Sequence, residues 1–178
     1  MKRLFTNKVG QIWVETVIYT LIGITIIGLV LAAIKPKIDE KQDEIAIDQA
    51  IQSLNNIDSK IYGVQSATGN KRSIELKVGK GTMTLHLDED YITWEIESRL
   101  EYSEEDIPVR LGRMNVTTTR LGEDLWEVVL YSPYDIDLRF NNLNVGTKEF
   151  DAVSVPYQLV VENDRIENGK TVISIREV

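Results

Sequence analysis

Few side chains in this chain can do chemistry, and one of them stands where a charge is expensive. There is no cysteine, so disulfides, thiolate metal sites and a cysteine nucleophile are excluded. The single histidine, His86, lies on the polar side of an alternating stretch. Without a second histidine or a Gly-x-Ser-x-Gly, a triad or histidine metal site lacks its parts, and a solvent-facing ring is expected. Asp88-Glu89-Asp90 and Glu104-Glu105-Asp106 lack the spacing and glycine of a calcium loop and read as solvated turns. Gly79-Lys80-Gly81 lacks the length and following Ser or Thr of a phosphate loop. No catalytic residue, metal ligand or cofactor is assigned, and the chain does not read as an enzyme. Trp94 and Trp126 keep step with apolar neighbours and are expected in the core rather than against a ligand.

The exception is Glu15. Behind it, Thr16 to Ile34 are 19 residues without a charge. With Glu15 set aside, Ile12 to Ile34 reaches the roughly 20 apolar residues needed to cross a hydrocarbon core of about 30 Å. Thr20 and Thr25 are tolerated because a helical threonine can bond back to its own backbone, and Gly23 and Gly28 are acceptable in a membrane helix. A carboxylate just inside such a helix costs several kcal/mol unless paired. A partner would appear if the chain were cut just before Gln11. The new α-amino group would stand about 6 Å, one helical turn, from Glu15, and could pair within a chain or between neighbours.

The leader MKRLFTNKVG carries Lys2, Arg3 and Lys8 and no acid. By the positive-inside rule the N-terminus stays in the cytoplasm and the bulk of the chain lies outside. A cleaved secretory signal fits less well, because its cut follows the apolar region, where Ala32-Ala33-Ile34-Lys35 only weakly imitates a site. On hydropathy alone an uncleaved single-pass anchor is preferred, but that reading gives Glu15 no task. A basic leader ending in Gly10, Gln11 directly after it, an apolar helix, and Glu15 as the fifth residue past that glycine resemble the type IV pilin precursors. The resemblance covers roughly residues 2 to 60. The Gly10-Gln11 pair is similar to the archaeal branch, while Trp13 replaces the small or hydroxyl residue common there. It implies that a membrane-embedded prepilin peptidase cuts between Gly10 and Gln11 on the cytoplasmic side. It implies further that an assembly platform and its ATPase build the mature chain into a homo-oligomeric filament, with Gln11 and Glu15 as the assembly pair.

After Lys35 the helix pattern turns amphipathic. Ile47, Ala50, Ile51, Leu54, Ile57 and Ile61 recur at three- and four-residue steps, opposite Lys41, Asp43, Asp48, Gln52 and Asn56. Pro36 is expected to kink the helix or restart it, and Gly63 to stop it. A continuous helix over 11–62 would be about 78 Å long. The expected organisation is a leader over 1–10, a long helix over 11–62 (apolar 12–34, amphipathic 37–62) and a head over 63–178. In the head the period changes to 2. Ile74 to Val78, Met83 to Leu87 and Ile92 to Ile96 read as a three-stranded meander. Arg99 to Gly112 reads as a loop. Strands are expected over Asn115 to Leu121, Leu125 to Tyr131 and Ile136 to Phe140. Asn141 to Gly146 is turn-rich. The tail is a hairpin, Val155 to Ile166 and Thr171 to Arg176, around Asn168-Gly169, a favoured type I′ pair. That makes about eight strands and an α+β fold, the long N-terminal helix packing on a C-terminal antiparallel β-rich head.

The formal net charge of −8 argues against nucleic acid, which calls for clustered Lys and Arg. Removing the leader takes three cations and no acid, giving −11, and an acidic head suits solubility. Asn115-Val116-Thr117 is the only glycosylation triplet, on the side of the membrane expected to be outside. The functional expectation is a structural subunit that sits in the membrane as a single-pass protein before assembly and in a cell-surface filament after it. The alternatives are a membrane-anchored protein with an outer binding or sensing domain, and a minor or pseudopilin component.

Overall fold

The computed structural model describes residues 8–178, with side chains from Trp13 onward. Its first element is one helix, α1 (Lys8–Gln65), which runs through Pro36 without a break. The described helix therefore reaches back three residues before the expected 11–62 span and ends three residues after it. Proline costs the Ala32 carbonyl its donor, but the strong helix formers on both sides carry the backbone through. Gly63 is helical, so it is not the stop; the first left-handed residue is Gly69, at φ +83°. The chain divides into two units, one ending at Asp39 and the other Glu40–Val178.

Ten strands follow in the second unit: β1 (Lys71–Leu76), β2 (Thr82–His86), β3 (Tyr91–Ser98), β4 (Val109–Leu111), β5 (Met114–Arg120), β6 (Trp126–Pro133), β7 (Asp137–Phe140), β8 (Thr147–Asp151), β9 (Tyr157–Glu167) and β10 (Lys170–Glu177). They form a four-stranded sheet, β1-β9-β10-β7, and a six-stranded sheet, β4-β5-β6-β3-β2-β8. All pairs are antiparallel except β7 with β10. The fold is α+β, as expected. The meander is not formed. Only β2 and β3 pair in it, while β1 joins β9 in the other sheet, Ile74 opposite Leu159. Two strands were hidden, β4 inside the expected loop and β8 after the Asn141–Gly146 turn.

Alternation decides what each strand buries. Met83, Leu85, Ile92, Trp94 and Ile96 face the core from the six-stranded sheet, and Leu159, Val161, Ile173 and Ile175 from the four-stranded one. The expected helix face meets them: Ile47, Ala50, Leu54, Ile57 and Ile61 are buried, together with Val64, and Ile51 is half-buried. Burying five large aliphatic side chains of that row contributes on the order of 10 kcal/mol of gross stabilisation. That is comparable with the net stability of a whole domain, so this half of α1 belongs to the head. Trp94 is in the core and donates its indole N–H to Lys80 O at 3.0 Å. Trp126 is buried beneath the Arg120 guanidinium, 4.3 Å from the ring centre.

Two polar residues fasten the ends of this helical half. Asp43, assigned above to the solvated face, is buried. Its carboxylate accepts the Arg99 backbone N–H at 2.8 Å and an ion pair from Lys80. At the other end Asn163 on β9 is buried and donates its side-chain N–H to Val64 O at 3.1 Å and Gln65 O at 3.4 Å. These are carbonyls of the last turn, which has no intrahelical donor. Past Asn163 a bulge between Val172 and Ile173 shifts the register. It turns Arg165 and Glu167 outward, where Glu167 accepts from Arg165 and from Arg139 at 3.0 Å, and Arg139 also holds Asp137 through two bonds of 2.9 and 2.6 Å. The guanidinium beside Asp137 pulls its carboxyl below the ordinary range, against the opposing effect of burial.

Candidate assembly site on the N-terminal helix

Gly10 and Gln11 lie within α1, so the bond between them is part of helical backbone. Lys2 and Arg3 of the leader lie outside the described residues, as do the side chains of Lys8 and Gln11. Glu15 is described and exposed, four residues beyond Gln11. Among the described residues, no cation forms an ion pair with it.

The helix around Glu15 has the bonding an apolar medium demands. Thr20 Oγ1 donates to Thr16 O at 2.8 Å, and Thr25 Oγ1 to Leu21 O at 2.7 Å, so neither hydroxyl needs water. Every large apolar side chain from Trp13 to Ile34 is 43 to 74% exposed. Trp13, Thr16, Val17, Thr20 and Leu21 line a shallow groove of about 350 Å³. Leaving such a run in water forgoes roughly 1 kcal/mol for each of some fourteen half-exposed side chains, about 15 kcal/mol together. That matches or exceeds the stability of a typical domain. The run therefore needs an apolar cover. By length and composition it is one helix able to cross a membrane.

The remaining candidates fall elsewhere. His86 is half-buried rather than free in solvent: its ring stacks on Tyr91 at 4.1 Å, and Nε2 lies 3.1 Å from Thr93 Oγ1. The acidic turns serve the fold. Asp88 accepts Gly146 N–H at 2.7 Å, Asp90 accepts Leu138 N–H and Lys170 Nζ at 2.9 Å each, and Asp106 accepts Thr119 Oγ1 at 2.9 Å. Among the described residues no group of three His, Asp or Glu could hold a metal ion. Asn115 is half-buried within β5, paired with Arg110 and Tyr131, on the outer face of its sheet. It stands well away from Glu15 in sequence and in the other unit.

Asp43 and Asn163 went unread as fasteners. Nothing distinguishes Asp43 from the acids around it. Asn163 carried a signal, since it continues the inward phase of Leu159 and Val161, where an amide must find a partner. No family model matches the chain, and no curated protein or solved structure is similar to it.

Proposed function

We propose that the chain is the structural subunit of a pilus-like surface filament, released for assembly by a cut between Gly10 and Gln11. The observation that carries this is Glu15, an exposed carboxylate at the head of an otherwise uncharged helical run. A fixed anchor gains nothing from an acid there and loses several kcal/mol. In an assembling chain the same acid has a use. The amine freed at Gln11 lies one turn away on its own helix and within reach from a neighbouring one. Pairing neutralises both charges inside an apolar bundle and sets the stagger between copies. A carboxylate in the first turns of the shortened helix also faces the positive end of its dipole.

The exposed run supports the same reading. Its side chains need an apolar cover worth about 15 kcal/mol, and lipid supplies it before assembly, copies of the same helix afterwards. The peptidase, platform and ATPase named above are the partners this reading requires, with the head outside the cell. A major and a minor subunit would share all of these features.

Replacing Glu15 tests the idea. Glu15→Ala leaves the cut intact and lowers the filament fraction at least ten-fold, equivalent to about 1.4 kcal/mol per contact. Glu15→Asp, which keeps the charge on a shorter arm, recovers part of it. Sheared-filament yields equal to the parent protein would remove the pairing argument.

A further inference from the structure

The outer face of the six-stranded sheet and a groove beside α1 carry opposite charges. On its four central strands one uncharged row runs Thr84, Thr93, Tyr131, Asn115 in register, bounded by Glu149 of β8 and Arg110 of β4. Tyr91 lies beside it, its ring 5.1 Å from Tyr131. Except for buried Thr93, these side chains are half-exposed or exposed. At one end stand Glu95, Glu97 and Glu127, with Glu97 directly across from Glu127. Like charges in that position destabilise a sheet, and no cation of the described residues pairs with any of the three. An uncharged, tyrosine-bearing centre with a charged rim is the make-up of a docking face.

The complementary surface lies between α1 and the loops beside it. Gln49, Gln52, Asn56 and Lys60 recur at three- and four-residue steps along one face of the helix. With Lys77, Gly79 and the Ala152–Ser154 loop, Gln49 lines an open groove of about 720 Å³. Lys77 is exposed and Lys60 half-exposed, and neither pairs with an acid of the described residues. Neutral amides lie against two free cations here, as neutral hydroxyls and rings lie against three free acids on the sheet.

We infer that the sheet face of one copy docks in the helix–Lys77 groove of the next copy, an inference that rests on the filament reading above. The two surfaces differ, so the contact is head-to-tail and extends without closing. Four strands about 4.8 Å apart and three rows about 7 Å apart give roughly 400 Å² on each side. A stable interface needs about 800 Å² per partner. The contact is therefore too weak to join free heads. It acts where the apolar helices already hold heads at millimolar effective concentration.

The chain has no cysteine, so an introduced pair reports proximity without background. The full-length double variant Glu97→Cys with Lys77→Cys, oxidised in sheared filaments, is expected to give a ladder of covalent multimers. A control pairing Glu97→Cys with Arg165→Cys, on the outer face of the other sheet, should give at least ten-fold less. If the cysteine pair prevents assembly, a charge swap decides. Lys60→Glu with Lys77→Glu should lower filament yield several-fold, and adding Glu97→Lys with Glu127→Lys should restore it. Filaments whose subunits begin at Gln11, but whose ladder does not exceed the control or whose swap fails to restore yield, overturn the docking alone. Subunits that keep the leader and form no filament overturn the filament reading, and the docking with it.

Discussion

Replacing Asn163 should separate the two ways in which the head can hold its helix. Asn163 is 2% exposed and donates to Val64 O and Gln65 O, while its own Oδ1 accepts no hydrogen bond from the described residues. Asn163→Ala leaves two carbonyls of the last helical turn without that donor, at about 1–3 kcal/mol. It also removes the unpartnered oxygen, which returns part of the cost, so a net loss of about 1–2 kcal/mol follows. Asn163→Asp is sharper. A carboxylate there faces two carbonyls and the negative end of the helix dipole, in a buried site. The chain escapes by keeping the group protonated, when its O–H replaces the lost N–H. Burial thus raises the folded-state pKa above the unfolded value near 4. The loss is small below that value, and it grows by up to about 1.4 kcal/mol per pH unit as the pH rises towards the folded pKa. At pH 7 it is bounded near 4 kcal/mol. The assay is thermal unfolding of the full chain in detergent, followed by near-ultraviolet dichroism of the buried tryptophans from pH 4.5 to 8. The Asp variant should converge on the parent at the acid end and the Ala variant should run parallel to it. A pH-independent loss in the Asp variant, or none in either, would refute the capping role.

Gly10→Val should block the proposed cut, because a branched side chain then stands just before the proposed scissile bond, and should leave the uncut chain in the membrane fraction; normal trimming would remove Gly10 from the proposed site. Arg139→Met should destabilise the head by about 1 kcal/mol near neutral pH by stripping Asp137 of its two-bonded partner. Because Asp137 is held below the ordinary carboxylate range, that stabilisation is complete above about pH 4 and disappears as the pH falls through the depressed value. The difference between variant and parent should therefore close in acid, and a constant difference on acid titration would count against it.

The parts of the fold legible in the sequence are those with local periodicity. The row from Ile47 to Ile61 announced its own buried face, and Asn168-Gly169 announced the tail hairpin. The parts that were hidden depend on distant partners. β8 reads as a charged loop because Thr147, Glu149 and Asp151 face outward from an edge strand, and only Phe150, opposite Met83, is buried. β1 alternates like β2 and β3, and nothing local tells it to cross to β9. Asp43 looks like any acid on a solvated helix until Arg99, 56 residues on, presents its N–H. The proposed assembly site rests on a signal of the opposite kind. Its signal is a single charge at the head of an uncharged run, and no tertiary partner is needed to see it.

The most direct measurement is the N-terminal mass of the protein recovered from the cell surface of its host. Cleavage between Gly10 and Gln11 predicts a first residue of Gln11, with Glu15 four positions on and the leader absent. An intact leader, beginning at Met1 or Lys2 on surface-exposed protein, would contradict the account and leave Glu15 unexplained.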